Sequence, residues 1–181
     1  IVKKMGAAGI TAYEEDGLKS PTAVASCMKH YLGYSASRNG KDRTPIYLPE
    51  IELREYYLPQ FREAVKAGSS TIMINSSEIN GVPVHSSKYL LTDVLRTELG
   101  FEGLIVTDWA DIVRLHNWHH VAATPREAVV MAVNAGVDMS MVPSDFSFYD
   151  LLIEAVKKGE VKMTRIDDAV RRILTLKMKT G

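Results

Sequence analysis

The sequence predicts an α/β protein built from four consecutive βα units, read as the second half (about strands 5 to 8) of a TIM-type (β/α)₈ barrel. Three observations lead to this prediction. Four short apolar segments recur along the chain, a helical pattern follows each of them, and the segments begin at residues 24, 71, 104 and 137, a spacing typical of βα units. Four parallel strands alone would leave two unpaired edges, which favour aggregation. Half of a barrel is therefore favoured over a small open sheet.

The four predicted strands carry apolar or small residues on both faces instead of alternating. They cover residues 24–31 (VASCMKHY), 71–76 (TIMINS), 104–108 (LIVTD) and 137–141 (VDMSM). Such runs are typical of parallel strands that are covered on both sides. We therefore expect one parallel sheet.

Helical patterns separate the strands and close the chain. They cover residues 51–67, 86–99, 125–136, 148–158 and the segment that follows Thr164. Pro59 predicts a kink in the first helix or a break between two helices. Residues 124–127 (TPRE) supply an N-cap, a proline at the first helical position and a glutamate three residues after the cap. Thr164 is expected to cap the last helix.

Two long loops, residues 33–49 and 110–124, follow the carboxyl ends of predicted strands. In parallel α/β proteins this end of the sheet is where ligands bind. A functional site is therefore expected among these loops and the strand ends beside them.

The composition excludes several classes of function. The 181 residues include 22 basic and 22 acidic side chains, so nothing in the charge balance predicts binding to nucleic acid or to an anionic membrane. The single cysteine, Cys27, rules out an internal disulfide, and no apolar run approaches the roughly 20 residues that span a bilayer. Residue 1 is isoleucine, which predicts that the chain is part of a longer protein.

Polar residues occupy the expected carboxyl end of every strand. In chain order they are Lys29 and His30, then Asn75, Ser76, Ser77 and Glu78, then Asp108 and Trp109, then Asp138 and Ser140. The simplest interpretation is that strand ends reach solvent. The alternative is a sugar site, because lysine and histidine donate hydrogen bonds to hydroxyl groups, an indole stacks on a pyranose, and a carboxylate can attack an anomeric carbon.

Six motifs in the chain resemble the N-terminal barrel domain of glycoside hydrolase family 3, the β-glucosidase family. They are CMKHYLG at residues 27–33, LRE with LP and F at residues 53–61, NGVP at residues 80–83, LGFEG followed by VTDW at residues 99–109, AGVDM at residues 135–139, and RIDDAVRRIL at residues 165–174. They occur in the order of the family and cover nearly the whole chain. The resemblance implies a (β/α)₈ fold and a retaining glycosidase.

The resemblance also implies roles for individual residues. Asp108 corresponds to the catalytic nucleophile, which forms a covalent glycosyl-enzyme that water then hydrolyses. Lys29 and His30 correspond to the pair that binds hydroxyls of the sugar beside the scissile bond. Trp109 would line the same subsite. Arg43 corresponds to the arginine that the family carries in the loop after its Lys-His pair.

Three positions leave alternatives open. The loop that holds Arg43 is longer than usual in the family, so Arg38 is a rival for the same role. Ser76 stands where many members have a tyrosine that contacts the nucleophile. Glu78, close to it in the sequence, is either a ligand of the sugar or an ordinary loop carboxylate.

The segment HNWHH, residues 116–120, holds three imidazoles within five residues. No cysteine or carboxylate accompanies them at a regular ligand spacing, so a metal site is not predicted. A loop at the entrance of the sugar site is favoured instead. No cofactor is predicted.

The predicted function is that of part of an exo-acting, retaining β-glucosidase that removes terminal glucose from β-linked oligosaccharides or glucosides. The segment GYSAS, residues 33–37, differs from the loop of the N-acetylglucosaminidase branch, which favours a glucosidase-like member. The alternatives are a β-xylosidase or a related activity on the same scaffold, and a non-catalytic glucan-binding fragment. By family resemblance alone, the protein is expected to be secreted or periplasmic.

The chain itself is expected to form an incomplete barrel domain over residues 1–181. A retaining glycosidase needs a second carboxyl group as general acid/base, and in this family a C-terminal α/β sandwich domain usually supplies it. The first half of the barrel should supply further sugar ligands. The isolated chain is therefore expected to be a poor or inactive catalyst.

Overall fold

The chain is organised around a parallel sheet. The computed structural model describes residues 1–142 and 144–181. Its strands are β1 (Cys27–Tyr31), β2 (Thr71–Ile74), β3 (Glu78–Ile79), β4 (Val82–Pro83), β5 (Leu104–Trp109) and β6 (Met139–Met141). The parallel sheet has the order β1-β2-β5-β6, whereas β3 and β4 form a separate antiparallel pair. The predicted α/β class with four successive parallel strands is confirmed.

The outer strands of the sheet are shorter than predicted. The first begins at Cys27 and the last at Met139, so Asp138 precedes its strand. The expectation that Asp138 lies at a carboxyl strand end is therefore wrong. The physical reason is that its fully buried carboxylate binds arginines from two neighbouring helical segments, at the opposite end of β6 from the predicted site.

Helical segments follow each strand of the parallel sheet, and one helix precedes the first strand. They are α1 (Val2–Tyr13), α2 (Glu50–Glu52), α3 (Leu58–Lys66), α4 (Asp111–Asn117), α5 (Pro125–Ala135), α6 (Ser147–Lys157) and α7 (Met163–Thr180), together with π-helical segments at Leu53–Tyr57 and Tyr89–Glu98. Among the described residues, no helix is both long enough and apolar enough to cross a membrane.

Local signals in the sequence account for some of the helix boundaries but not for others. The helix is not broken at Pro59: α2, a π-helical segment and α3 follow one another without a non-helical residue, and the wider turns lie just before the proline. Thr124 caps α5 as predicted: its hydroxyl accepts a hydrogen bond from the Glu127 N–H at 3.1 Å. Thr164 does not cap the last helix, which already begins at Met163.

Three other helical features differ from the expectations. Helix α1 was not predicted, the loop 110–124 contains α4, and residues 89–98 form wider π-type turns instead of an α-helix. The chain turns sharply into α4 at Ala110, which has a left-handed backbone with φ of 57°. A helix therefore starts directly behind Asp108 and Trp109.

The hydrophobic core lies between the sheet and the helices. Strand side chains such as Ile72, Ile74 and Ile105 are fully buried and belong to the same hydrophobic cluster as Leu91 and Leu95. The end of β5 is therefore anchored by burial of its preceding residues, which fixes the position of the polar residues that follow.

A buried carboxylate fastens α7 to the sheet. Both oxygens of Asp138 are bound: Oδ2 lies 2.6 Å from Arg96 Nη2, and Oδ1 lies 2.5 Å from Arg165 Nη2 and 3.1 Å from Arg172 Nη1. The backbone N–H of Ile105 also donates to Oδ2, at 3.0 Å. One carboxylate thus connects a π-helical segment, a central strand and the last helix.

A second carboxylate fastens the amino ends of β1 and β2. Glu14, just after α1, is 8% exposed, and its Oε1 accepts hydrogen bonds from the N–H groups of Ser26 at 2.9 Å and Ser70 at 2.7 Å. The Ser26 hydroxyl donates to Oε1 and the Ser70 hydroxyl donates to Oε2. We call this arrangement the Glu14 clamp.

Candidate active site

The carboxyl ends of three neighbouring strands bring polar side chains together around Asp108. Oδ2 of Asp108 lies 3.2 Å from Ser76 Oγ, 3.5 Å from His30 Nε2 and 3.4 Å from Arg43 Nη2. His30 comes from β1, Ser76 follows β2, and Asp108 belongs to β5. The parallel order β1-β2-β5 places these strand ends at one edge of the sheet.

Asp108 is partly buried but held in its ionised form. Its side chain is 19% exposed, and burial alone would raise the pKa of the carboxyl group. The Trp109 N–H, which donates to Oδ1 at 2.6 Å, opposes this effect together with Arg43, His30 and Ser76. The result is that the pKa of Asp108 lies below its ordinary value, so that the group is a carboxylate at neutral pH.

The neutral form of the His30 imidazole is favoured. Burial is the main cause that lowers the pKa of its imidazole, and the charges of Lys29 and Arg43 act in the same direction against the attraction of Asp108. Lys29 itself is exposed. Its contribution to the cluster is its charge, which acts on the neighbouring His30.

The loop 33–49 delivers Arg43, not Arg38, to Asp108. Arg43 has a left-handed backbone with φ of 58°, and its guanidinium reaches both Asp108 and Asp111. Arg38 lies over the ring of Tyr47, with 5.8 Å between the guanidinium carbon and the ring centroid. Of the two rivals, only Arg43 takes part in the cluster around Asp108.

Trp109 and Glu78 border the cluster in different ways. The Trp109 side chain is 52% exposed, which leaves its indole available for stacking. Glu78 begins β3, and its Oε2 lies 3.6 Å from His119 Nδ1 in the loop 110–124. The Glu78 carboxylate thus faces an imidazole of this loop.

Two residues of the site were not predicted from the sequence. Asp111 begins α4 and is 2% exposed, and its Oδ1 lies 2.8 Å from Arg43 Nη1. His85 lies in a short 3₁₀ turn after β4, is also 2% exposed, and faces Asp111. The spacing of Asp108 and Asp111, three residues apart, is the one sequence signal that could have found Asp111.

The three imidazoles of the loop 110–124 point to separate partners. His116 Nδ1 lies 3.0 Å from the carbonyl oxygen of Ala122, His120 Nδ1 lies 3.1 Å from that of His116, and His119 faces Glu78. Within residues 1–142 and 144–181, no group of three or more His, Cys, Asp and Glu side chains could hold a metal ion.

The buried His85 makes the stability of the protein depend on pH. Burial lowers its pKa to about 4, against the opposing effect of Asp111. The unfolded chain binds a proton on this residue below about pH 6.5, whereas the folded chain binds it only below about pH 4. The free energy of unfolding is therefore not reduced by His85 above about pH 6.5, and it falls as the pH drops from there towards about 4.

We expect the free energy of unfolding to fall by about 2 kcal/mol between pH 7 and pH 5 because of His85. The His85→Gln variant should lose correspondingly less over this interval. The measurement is the urea midpoint at both pH values, with His120→Gln, which alters an exposed imidazole, as the matched control. Equal pH dependence of the wild type and His85→Gln would contradict this assignment.

The fold and the site define a segment of a barrel domain with a carboxylate-centred site at the carboxyl ends of its strands. The chain belongs to glycosyl hydrolase family 3: residues 1–176 match the model of the N-terminal domain of that family. The four βα units are therefore part of the barrel domain of the family.

Curated relatives carry the names of glycosidases. A "Lysosomal beta glucosidase" from Dictyostelium discoideum is 50% identical over all of this chain and 23% of its own length. A "Beta-xylosidase" from Formosa agariphila is 38% identical over 100% of this chain and 26% of its own length. A "Periplasmic beta-glucosidase" from Salmonella typhimurium is 38% identical over 90% of this chain and 21% of its own length. The chain thus spans about a quarter of these relatives.

Solved structures share the fold. The crystal structure of a β-glucosidase from Listeria innocua in complex with glucose superposes with a TM-score of 0.93 and 30% sequence identity. The match covers 99% of this chain and 25% of that one. Nearly the whole chain therefore has a counterpart within a known β-glucosidase structure.

Proposed function

We propose that the chain is part of an exo-acting, retaining β-glucosidase in which Asp108 is the nucleophile. The observation that carries the proposal is the position of the Asp108 carboxyl group at the end of β5, between a guanidinium, an imidazole and a hydroxyl group. A retaining glycosidase needs such a group on one side of the anomeric carbon. Relatives named β-glucosidase support the choice of glucose as the sugar.

The surroundings of Asp108 suit nucleophilic attack. Oδ1 is held by the short hydrogen bond from the Trp109 N–H, whereas the contacts of Oδ2 are long, at 3.2–3.5 Å. Long contacts orient the carboxylate without tying up the lone pairs of Oδ2. One oxygen of Asp108 attacks the anomeric carbon, the bond to the leaving oxygen breaks, and water later hydrolyses the glycosyl-enzyme.

The other site residues are proposed to bind the sugar or hold the nucleophile. Lys29, His30 and Arg43 carry donors for hydroxyl groups, and Trp109 offers an exposed indole for stacking. Ser76 donates to Asp108. Glu78, which faces His119, is the proposed acceptor for hydroxyls at the border of the site.

The complete protein is proposed to supply the remaining groups. The relatives are about four times as long as this chain, which leaves room for a first barrel half and for a C-terminal α/β sandwich domain with the acid/base. An exported or lumenal compartment is proposed as well. Relatives named lysosomal and periplasmic support it.

A second candidate is β-xylosidase activity on the same site. The relative from Formosa agariphila that carries this name supports it. The two activities are separated by the ratio of kcat/KM for aryl β-glucoside and aryl β-xyloside with the complete protein. A ratio above one favours the glucosidase, and a ratio below one favours the xylosidase.

Covalent trapping tests the nucleophile directly. The complete protein, incubated with an activated 2-deoxy-2-fluoro-β-glucoside, is expected to gain one fluoroglucosyl group in intact mass, located on a peptide that contains Asp108. The good leaving group makes acid catalysis largely unnecessary, and the fluorine slows hydrolysis of the adduct. An Asp108→Asn sample should stay unmodified. An unmodified wild type, or an adduct on another residue, would contradict the proposed role and favour a protein that only binds glucan.

A further inference from the structure

Asp111 holds the guanidinium of Arg43 more tightly than Asp108 does. Arg43 Nη1 donates to Asp111 Oδ1 at 2.8 Å, whereas its Nη2 lies 3.4 Å from Asp108 Oδ2. Its Nε faces Asp42 at 3.3 Å, but the Asp42 side chain is 59% exposed and therefore a weak competitor. The shortest contact of the arginine is thus with a carboxylate that lies beside the nucleophile and is buried.

Asp111 is itself fixed by its surroundings. It occupies the first turn of α4, next to the left-handed Ala110, and Arg114 from the same helix lies 3.2 Å from Oδ1. On its other side, Oδ2 lies 3.7 Å from Nε2 of the buried His85. Within the described part of the chain, these two atoms have no closer hydrogen-bonding partner. The Asp111 carboxylate therefore lies between these groups with its Oδ1 directed towards Arg43.

The side chain of Arg43 would not be held in one orientation by its own segment of the chain. It lies in the long loop 33–49, outside any helix or strand, and an arginine side chain has several rotatable bonds whose freedom opposes a single orientation. The buried acceptor on α4 offsets this freedom with a charge-assisted hydrogen bond. The orientation of Nη2 towards Asp108 follows from that bond because the guanidinium is planar and rigid.

We propose that Asp111 is a positioning residue that fixes Arg43 beside Asp108, so that the guanidinium stabilises the ionised nucleophile and faces the sugar. The catalytic part of this inference rests on the proposed function. The positioning part concerns only the geometry and charge of the cluster.

The sign of the effect on Asp108 separates positioning from charge. The negative charge of Asp111, taken alone, raises the pKa of Asp108, so removal of that charge alone would lower this pKa. If Asp111 holds Arg43 in place, replacement of Asp111 must instead raise the pKa of Asp108, because the guanidinium moves away. The other charged or titratable groups around the cluster are Lys29, His30, Asp42, Glu78, His85, Arg114 and His119.

The test is the titration of Asp108 by carbon NMR of the complete protein with labelled aspartate, in the wild type, Asp111→Ala, Arg43→Ala and the double variant. We expect the pKa of Asp108 to rise in both single variants and to rise no further in the double variant, because the two residues act through one contact. A lower pKa in Asp111→Ala, or additive shifts, would overturn the proposal.

Kinetics with an aryl β-glucoside give the matching activity readout. Asp111→Ala and Arg43→Ala are each expected to lower kcat/KM on the order of 10²-fold, with the double variant no worse than Arg43→Ala. The control Asp168→Ala removes a carboxylate that pairs with arginines on α7, and it should leave kcat/KM unchanged.

A conservative variant keeps the proposal falsifiable if Asp111→Ala does not fold. Asp111→Asn retains an acceptor oxygen for Arg43 Nη1, so its kcat/KM should stay within about tenfold of the wild type. A loss as large as that of Arg43→Ala would overturn the proposal.

If the wild type turns over no β-glycoside yet Asp108 titrates higher in Asp111→Ala, the proposed function fails and the positioning role stands. An active protein without that shift contradicts the positioning role alone.

Discussion

Replacement of Asp108 by asparagine is expected to lower kcat for an aryl β-glucoside by on the order of 10⁴-fold or more in the complete protein. The amide has nearly the same shape, and its oxygen can still accept the hydrogen bond from the Trp109 N–H. It is, however, a poor nucleophile towards an anomeric carbon. The loss therefore reports on the attacking oxygen and leaves the geometry of the site in place. Steady-state kinetics measure it.

A surface substitution and a chemical rescue make this result specific. Asp150→Asn changes an exposed carboxylate on α6 and should have no effect on kcat. Asp108→Gly leaves space for a small anion, and added azide should restore turnover with a glycosyl azide of inverted configuration as product. If Asp108→Asn keeps more than a tenth of the wild-type rate, Asp108 is not the nucleophile.

Replacement of Asp138 by asparagine is expected to destabilise the protein by about 3–5 kcal/mol. The side chain is fully buried, and its charge compensates Arg96, Arg165 and Arg172. Asparagine keeps the volume but removes the negative charge, so the buried guanidinium groups lose their counter-charge. The measurement is the midpoint of urea unfolding, followed by tryptophan fluorescence.

Asp168 provides the comparison for this experiment. It also pairs with Arg171 and Arg172, but its side chain is 42% exposed, and exposed ion pairs contribute little to stability. Asp168→Asn should therefore shift the urea midpoint much less than Asp138→Asn. Equal midpoints for the wild type and Asp138→Asn would show that the buried arginines do not depend on this carboxylate.

The order of the elements could be predicted because it depends on local patterns. Apolar runs such as residues 104–108, and the cap formed by Thr124, act within a few residues along the chain and survive in the folded structure. The convergence of His30, Ser76 and Asp108 follows from the parallel topology, since parallel strands end at one edge of the sheet.

The remaining features depend on contacts between distant residues. Arg43 reaches Asp111, which lies 68 positions later in the chain, through a left-handed loop conformation that no local pattern specifies. Asp138 was misplaced because β6 has only three residues, and its boundary is set by the arginines that capture the preceding carboxylate. Asp111, which the sequence did not reveal, and Asp138, which was placed at the wrong strand end, are both charged side chains whose partners are remote in sequence.

The Glu14 clamp and the Asp108 site lie at opposite ends of the strands, so substitutions at one end leave the other end unchanged. The clamp joins the amino ends of β1 and β2, whereas Asp108 lies at the carboxyl ends of the strands, about 15 Å away at roughly 3.3 Å per residue. Mutant libraries that are restricted to the loops 33–49 and 110–124 can therefore explore new sugar preferences while they leave the clamp untouched. Substitutions at Ser26 or Ser70 would instead remove hydroxyl hydrogen bonds to the buried Glu14 carboxylate and are expected to lower stability.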